Sequence, residues 1–341
     1  MKLSDILFTA VNAVMPIILV ILLGYVLKQI KFLSKDFLKI GNKLVFNVCL
    51  PCMLFVNVYE IESFASIQWD IVIYCVAMLL VIFLLGLATA VLTTRVPERR
   101  GVVLQCTFRS NFAIIGLSLA AALGGEQAMA VAAIISAFTV PAFNILAVVA
   151  LSMFLDRPDS GKKGARGILT NIAKNPLIIS VALGLICLAI RSAQEKFLGA
   201  VVFRLDTQIK FLYKAVDSLA DIASPFALLV LGGQFEFAAV KGLLKEISVS
   251  TLWRIVLAPL LGIGCAIWIS RMGLLNCGVN EYPALVAMFG SPVAVSSAIM
   301  AGSMKNDEQL ATQLVVWTSL LSIVTIFATV CLLMWLGLIA V

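Results

Sequence analysis

The chain contains no histidine. That removes the commonest general base near neutral pH and a frequent ligand for transition metals. Charge is also scarce: Asp, Glu, Lys and Arg make up 13% of 341 residues, against about 25% in ordinary soluble domains. No G-x-S-x-G elbow, Walker loop or dinucleotide-binding glycine fingerprint occurs. Seven of the eight cysteines fall inside apolar runs, Cys277 being the exception, so a disulfide framework is not expected. Cys49 and Cys52 have the spacing of a redox pair, but they lie in an apolar helical stretch with no βαβ pattern nearby, which fits packing better than redox chemistry. These absences lean away from an enzyme, and neither a metal nor an organic cofactor is expected. The net charge of +7 is not a nucleic-acid footprint, because the basic residues are scattered between apolar runs and form no patch.

What the chain has in abundance is apolar length. Hydrophobic residues make up 62%, in runs of about twenty, the length that crosses a hydrocarbon layer about 30 Å thick. The expected class is an all-α integral membrane protein of ten transmembrane helices, at 7–30, 40–58, 71–92, 102–123, 129–155, 168–190, 216–235, 249–270, 282–303 and 310–338. The apolar stretch from Leu7 to Val26 exceeds a signal-peptide core and reads as the first span. Residues 156–167 form a polar linker between two halves, 1–155 and 168–341, and the stretch around Phe197–Arg204 suits the membrane interface.

Lys and Arg set the expected orientation. With both termini outside, seventeen of the 25 fall on the cytoplasmic side, including Arg254 at the edge of the eighth span. Seven fall outside, including Arg191, and Arg109 is left inside a span. The expected location is the cell (inner) membrane, multi-pass.

The two halves repeat one pattern. Residues 47–55 align with 221–229, residues 108–114 with 289–295, and Glu126–Gln127 with Glu308–Gln309, in the same order and at nearly the same offset. With five spans per half, the second half enters inverted, an arrangement typical of secondary transporters. Such proteins bind solute near the midplane, where helices are broken. The fourth and ninth spans are the candidates, because Asn111 and Pro292 occupy equivalent positions, preceded by Ser110 and Ser291. Proline interrupts the helical ladder, and Asn can take up freed backbone groups. If both helices break and cross, two half-helix N-termini face one cavity and favour an anion. Gly290, Ser296 and Ser297 allow close approach there, and Arg109 is read either as a contact for the anion or as a snorkelling side chain. Asn47 and Asp221 form a second equivalent pair, each one turn before a proline, Pro51 and Pro225, which are expected kinks. Asp221, if buried, is a coupling candidate for H+ or Na+, whereas Asp217 reads as solvated. Gln234, Thr139, Pro141 and Asn144 read as packing features.

Four stretches resemble the auxin efflux carrier family, especially its bacterial branch. They are Asn42-Lys-Leu-Val-Phe-Asn-Val-Cys-Leu-Pro51, Phe108-Arg-Ser-Asn-Phe-Ala-Ile-Ile-Gly116, Lys174-Asn-Pro-Leu177 and Gly290-Ser-Pro-Val-Ala294. The resemblance covers essentially the whole chain. It implies a fold like that of the bile-acid sodium symporters: spans 1, 2, 6 and 7 as scaffold, spans 3–5 and 8–10 as a mobile transport domain, elevator-like movement and a homodimer. Relatives handle carboxylates such as malate, malonate or auxin, so a small organic anion is the implied solute. The long central loop of the plant members is missing, and its regulation is not implied here. The expectation is a carrier. A channel or sensor on the same fold, or an enzyme holding a lipid diphosphate between Asp217 and Asp221, are the other readings. A reporter fused to the C-terminus is expected to be active outside the cytoplasm, and cytoplasmic activity would reverse the orientation.

Overall fold

The computed structural model describes residues 3–60, 68–155 and 174–339. The linker at 156–167, the start of the sixth span and most of the acidic loop after Glu60 lie outside these residues. Every regular element described is helical, and the described residues contain no strand. Among the described residues, seven helices are long and apolar enough to cross a membrane.

The elements are α1 (Leu3–Gln29), α2 (Lys35–Tyr59), α3 (Trp69–Thr93), α4 (Pro97–Phe108), α5 (Leu117–Ser152), α6 (Pro176–Leu198), α7 (Lys210–Gln234), α8 (Leu244–Arg271), α9 (Glu281–Leu285), α10 (Ser296–Ser303) and α11 (Glu308–Trp335). Their outer faces carry exposed Leu, Ile and Val, as in Ile73, Leu84 and Leu92 of α3 and Leu183 and Ile186 of α6. Inward faces merge into one continuous apolar core.

Prolines shape the helices through the donors they lack. In α2 the π turn Val45–Cys49 comes two residues before Pro51, and in α8 the π turn Trp253–Leu257 comes two residues before Pro259. A proline cannot donate to the carbonyl four residues back, and a wider turn absorbs the gap. In α7, Pro225 leaves the Asp221 carbonyl without its helical partner, and the helix bends at Ile222. The kinks expected at Pro51 and Pro225 therefore take the forms of a π turn and a bend.

The 102–123 and 282–303 spans are not continuous helices. The first runs as α4, breaks at Arg109–Asn111, and resumes as a π turn (Phe112–Gly116) leading into α5. Gly124 and Gly125, the latter at φ 68°, then turn the chain inside α5. The second runs as α9 and the π turn Val286–Gly290, breaks at 291–295, and resumes as α10.

Packing divides between two sets of neighbours. α1 lies on the second half of α7, and α6 lies on the second half of α2, which also meets the first half of α7. Elsewhere α3 packs on α4 and α5, α5 on α9, and α11 on α8 and α10. Helix α1 also reaches α11 across the two sets. The α1–α7 crossing is backbone to backbone. A Cβ on Gly24 would lie 2.2 Å from the Leu229 carbonyl oxygen, and one on Gly232 would lie 2.0 Å from that of Ile21. Small residues of this kind let helices approach closely in lipid.

Gly232→Ala should therefore lower the unfolding midpoint in detergent, by an overpacking cost of about 1–3 kcal/mol. Gly264→Ala is the control. Nothing lies within 4 Å of its Cβ position, so its midpoint should hold or rise. Equal behaviour of the two variants would refute the contact.

Candidate functional site

The two broken helices cross at their breaks. Ser110 and Val293 form an isolated antiparallel bridge. The Asn111 N–H donates to the Pro292 carbonyl at 2.8 Å, and the Ala294 N–H donates to the Arg109 carbonyl at 3.3 Å. Breaking a helix inside a membrane strands polar backbone groups, each costing several kcal/mol if unpaired. Here each break supplies partners for the other. The Val293 N–H is taken up by the Thr318 hydroxyl of α11 at 3.2 Å.

The remaining carbonyls at the crossing converge on one side chain. The Arg254 guanidinium, almost fully buried, donates to five carbonyl oxygens. Three belong to the first half of the second broken helix and its break: Met288 at 3.2 Å, Phe289 at 2.6 Å and Ser291 at 3.0 Å. Two belong to the end of α4: Thr107 at 3.5 Å and Phe108 at 3.2 Å. The negative ends of two helix dipoles thus share one cation. Sequence alone assigns Arg254 to the cytoplasmic border, and the structure corrects that. It sits in the π turn of α8 behind the crossing. Its neighbours Trp253 and Ile255 gave no local signal of this role. Arg191, assigned to the outer surface, is also buried; it donates to the Tyr59 carbonyl and lies 4.6 Å from the centre of the Tyr59 ring.

On the opposite side of the crossing lies a small cavity of about 40 Å³, lined by Arg109, Ser110, Asn111 and Ser296 of the crossing, by Asn144 of α5, and by residues of α2 and α7 such as Met53 and Ser224. That space holds a few waters. The first turns after each break, at Ala113 and at Val295–Ser296, face it. Arg109 is buried, with Nη2 on the Asn144 amide oxygen at 2.6 Å and on the Ser296 hydroxyl at 2.9 Å, and Nη1 on the Met300 sulfur at 2.6 Å. Among the described residues no carboxylate lies within ion-pair distance of it. Among the described residues, the Asn111 amide nitrogen and the Ser110 hydroxyl are buried with no hydrogen-bond partner.

The other sequence candidates divide. Ser291 and Gly290 are buried at the crossing but do not line the cavity; the Ser291 hydroxyl is spent on the Ala287 carbonyl at 2.6 Å. Pro292 contributes its carbonyl to Asn111. Asn47 is exposed, donates to the Lys43 carbonyl at 2.8 Å and faces a different cavity, nearer the lysine-rich end. Asp221 is exposed at the bend of α7, so the burial that would suit it to coupling is missing. Asn144, read from sequence as packing, is instead a direct partner of Arg109. All eight cysteines are free thiols, so Cys49 and Cys52 form no disulfide.

Arg254→Met should leave five carbonyls at two helix ends without a donor and lower thermal stability sharply in detergent. Arg254→Lys should recover only part, because an ammonium offers three donors where the guanidinium offers five. Full rescue by lysine would show that charge, not the fork, is what the crossing needs.

With the geometry in place, the comparisons are specific. The profile of the Membrane transport protein family matches residues 9–330. A protein named as an uncharacterized transporter from Methanocaldococcus jannaschii is 22% identical over 321 residues, covering 92% of this chain and 96% of its own length. A multi-pass helical chain with two interrupted helices crossing in its core, matched over nearly its full length, belongs to the membrane transport protein family, the family of the auxin efflux carriers.

Proposed function

We propose that the chain is a carrier for a small organic anion, a carboxylate, with the site at the crossing of the two broken helices. One observation carries this reading: a buried guanidinium, Arg109, faces the crossing cavity with no carboxylate partner among the described residues. A buried charge left unpaired is costly, and a solute anion would complete the pair. Two half-helix N-termini facing the same space favour the same sign of charge. Asn111 and Ser110, whose amide nitrogen and hydroxyl have no partner among the described residues, line the same cavity and could turn donors toward an anion there.

The same proposal includes ten spans, counting the broken helices as two and α1 as one, arranged as inverted five-span repeats. Asn111 and Pro292, equivalent by the internal repeat, hydrogen-bond to each other across the crossing, which supports that symmetry. The packing of α1 on α7, of α6 on α2 and of α2 on α7 supports a scaffold, which meets the helices around the crossing through α1 and α11. The small cavity fits a closed state; elevator-like displacement of the crossing would open it to either side in turn. A homodimer and coupling to H+ or Na+ belong to the proposal as well.

Arg109→Gln should weaken carboxylate binding by roughly tenfold to a hundredfold, the range of one charge-assisted hydrogen bond or two, and should affect a neutral analogue far less. Asn111→Ala should abolish uptake into proteoliposomes with the protein still folded and inserted. Equal losses for charged and neutral solutes in the first variant, or unchanged uptake in the second, would remove the crossing as the site. Counterflow that saturates separates a carrier from a channel on this fold.

A further inference from the structure

A second cavity, of about 670 Å³, opens where α1 ends, α2 begins, α7 ends and α10 joins α11. It is far larger than the one at the crossing, and its lining is basic. Lys35, Lys39 and Lys43 rise along one face of α2, joined by Lys28 of α1 and Lys305 from the α10–α11 turn. Only two carboxylates oppose them. Glu236 is already engaged by Lys28 at 3.4 Å, and Glu308 accepts from the Asn42 side-chain amide. Three like charges at four-residue spacing repel on a helix, which costs the isolated fold a few tenths of a kcal/mol per pair. A concave site of low-dielectric walls focuses their field on what enters.

The two cavities lie on the same walls. Along α2 the residues facing the basic cavity, Lys39, Lys43 and Asn47, continue at helical spacing into Leu50 and Leu54, which face the crossing. Along α7, Ser224 and Ala227 face the crossing while Gly233 and Gln234 face the basic cavity. Helix α10 begins at the crossing with Ser296 and ends at the basic cavity with Gly302 and Ser303. Three elements thus run from one space to the other.

We propose that the lysine-lined cavity is a second anion site, a vestibule that captures a small soluble oxyanion, carboxylate or sulfate-like, one stage before the crossing. The vestibule role rests on the anion-carrier reading of the crossing; the capture of an anion by the lysines does not. An anionic lipid headgroup carries the same chemistry, and the experiment distinguishes it.

The full chain is reconstituted in nanodiscs of phosphatidylcholine, and equilibrium binding of radiolabelled sulfate is measured with succinate as competitor. The background is Arg109→Gln, which removes the charge at the crossing, with wild type in parallel. Sulfate should bind the Arg109→Gln protein and be displaced by succinate. Adding Lys39→Gln, Lys43→Gln and Lys305→Gln should weaken binding by about tenfold or more and flatten its dependence on ionic strength. The corresponding triple Arg variant should retain binding, and ligand-free melting of each variant separates loss of fold from loss of site. Absence of sulfate binding to Arg109→Gln, or no change on neutralising the lysines, overturns the proposal. So does loss of sulfate binding when phosphatidylglycerol is included, which assigns the cavity to lipid. Should the crossing bind no anion, wild type and Arg109→Gln would bind sulfate equally while the lysine dependence remained, and the two readings would part.

Discussion

Everything in this protein depends on one constraint: lipid offers no hydrogen bonds, so an unwound backbone in the membrane must find its partners within the protein. A transporter of this architecture needs unwound backbone, because helix ends and free polar groups are what hold a polar solute in an apolar slab. The chain satisfies both demands by breaking two helices at the same point. Each break donates to the other through Asn111, Pro292, Arg109 and Ala294. What is left over on the carbonyl side goes to Arg254, and one N–H goes to Thr318. On the opposite side, the first turns after the breaks line the cavity.

The two buried arginines divide the labour. Arg254 is saturated by main-chain carbonyls, the ends of two helices, and has no capacity for a ligand. Arg109 is held by a neutral amide, a hydroxyl and a thioether. None of these cancels its charge, which therefore remains available. Their environments, not their residue type, make one structural and the other a candidate for binding.

Much of this was legible in the sequence. Long apolar runs locate the helices, because a bilayer imposes both length and composition. The two breaks show through Asn111 and Pro292, since proline has a direct backbone effect and its repeat partner shares the position. The role of Arg254 was hidden. An arginine a few residues inside an apolar run looks like a membrane-border residue, and only the fold brings five carbonyls to it from two other helices. Asp221 was left open by the sequence, since its use in coupling hangs on burial, and its side chain is exposed beside the bend at Ile222. The lysines of α2 were visible as a topology signal, but their convergence with Lys28 and Lys305 depends on elements far apart in sequence. Short-range pattern reports backbone chemistry well and reports convergence of side chains poorly.

The crossing is tied by main-chain atoms: an N–H and a carbonyl at each rung of the Ser110–Val293 bridge. Every residue other than proline brings the same two groups, whatever its side chain. The scaffold of the site is therefore indifferent to much of the chemistry displayed on it. Exchanges at 110, 113, 294 or 296 change the lining of the cavity while the main-chain partners of the joint stay the same. On the anion-carrier reading proposed above, a lineage built on such a joint could change its cargo by small steps while the main-chain joint is kept.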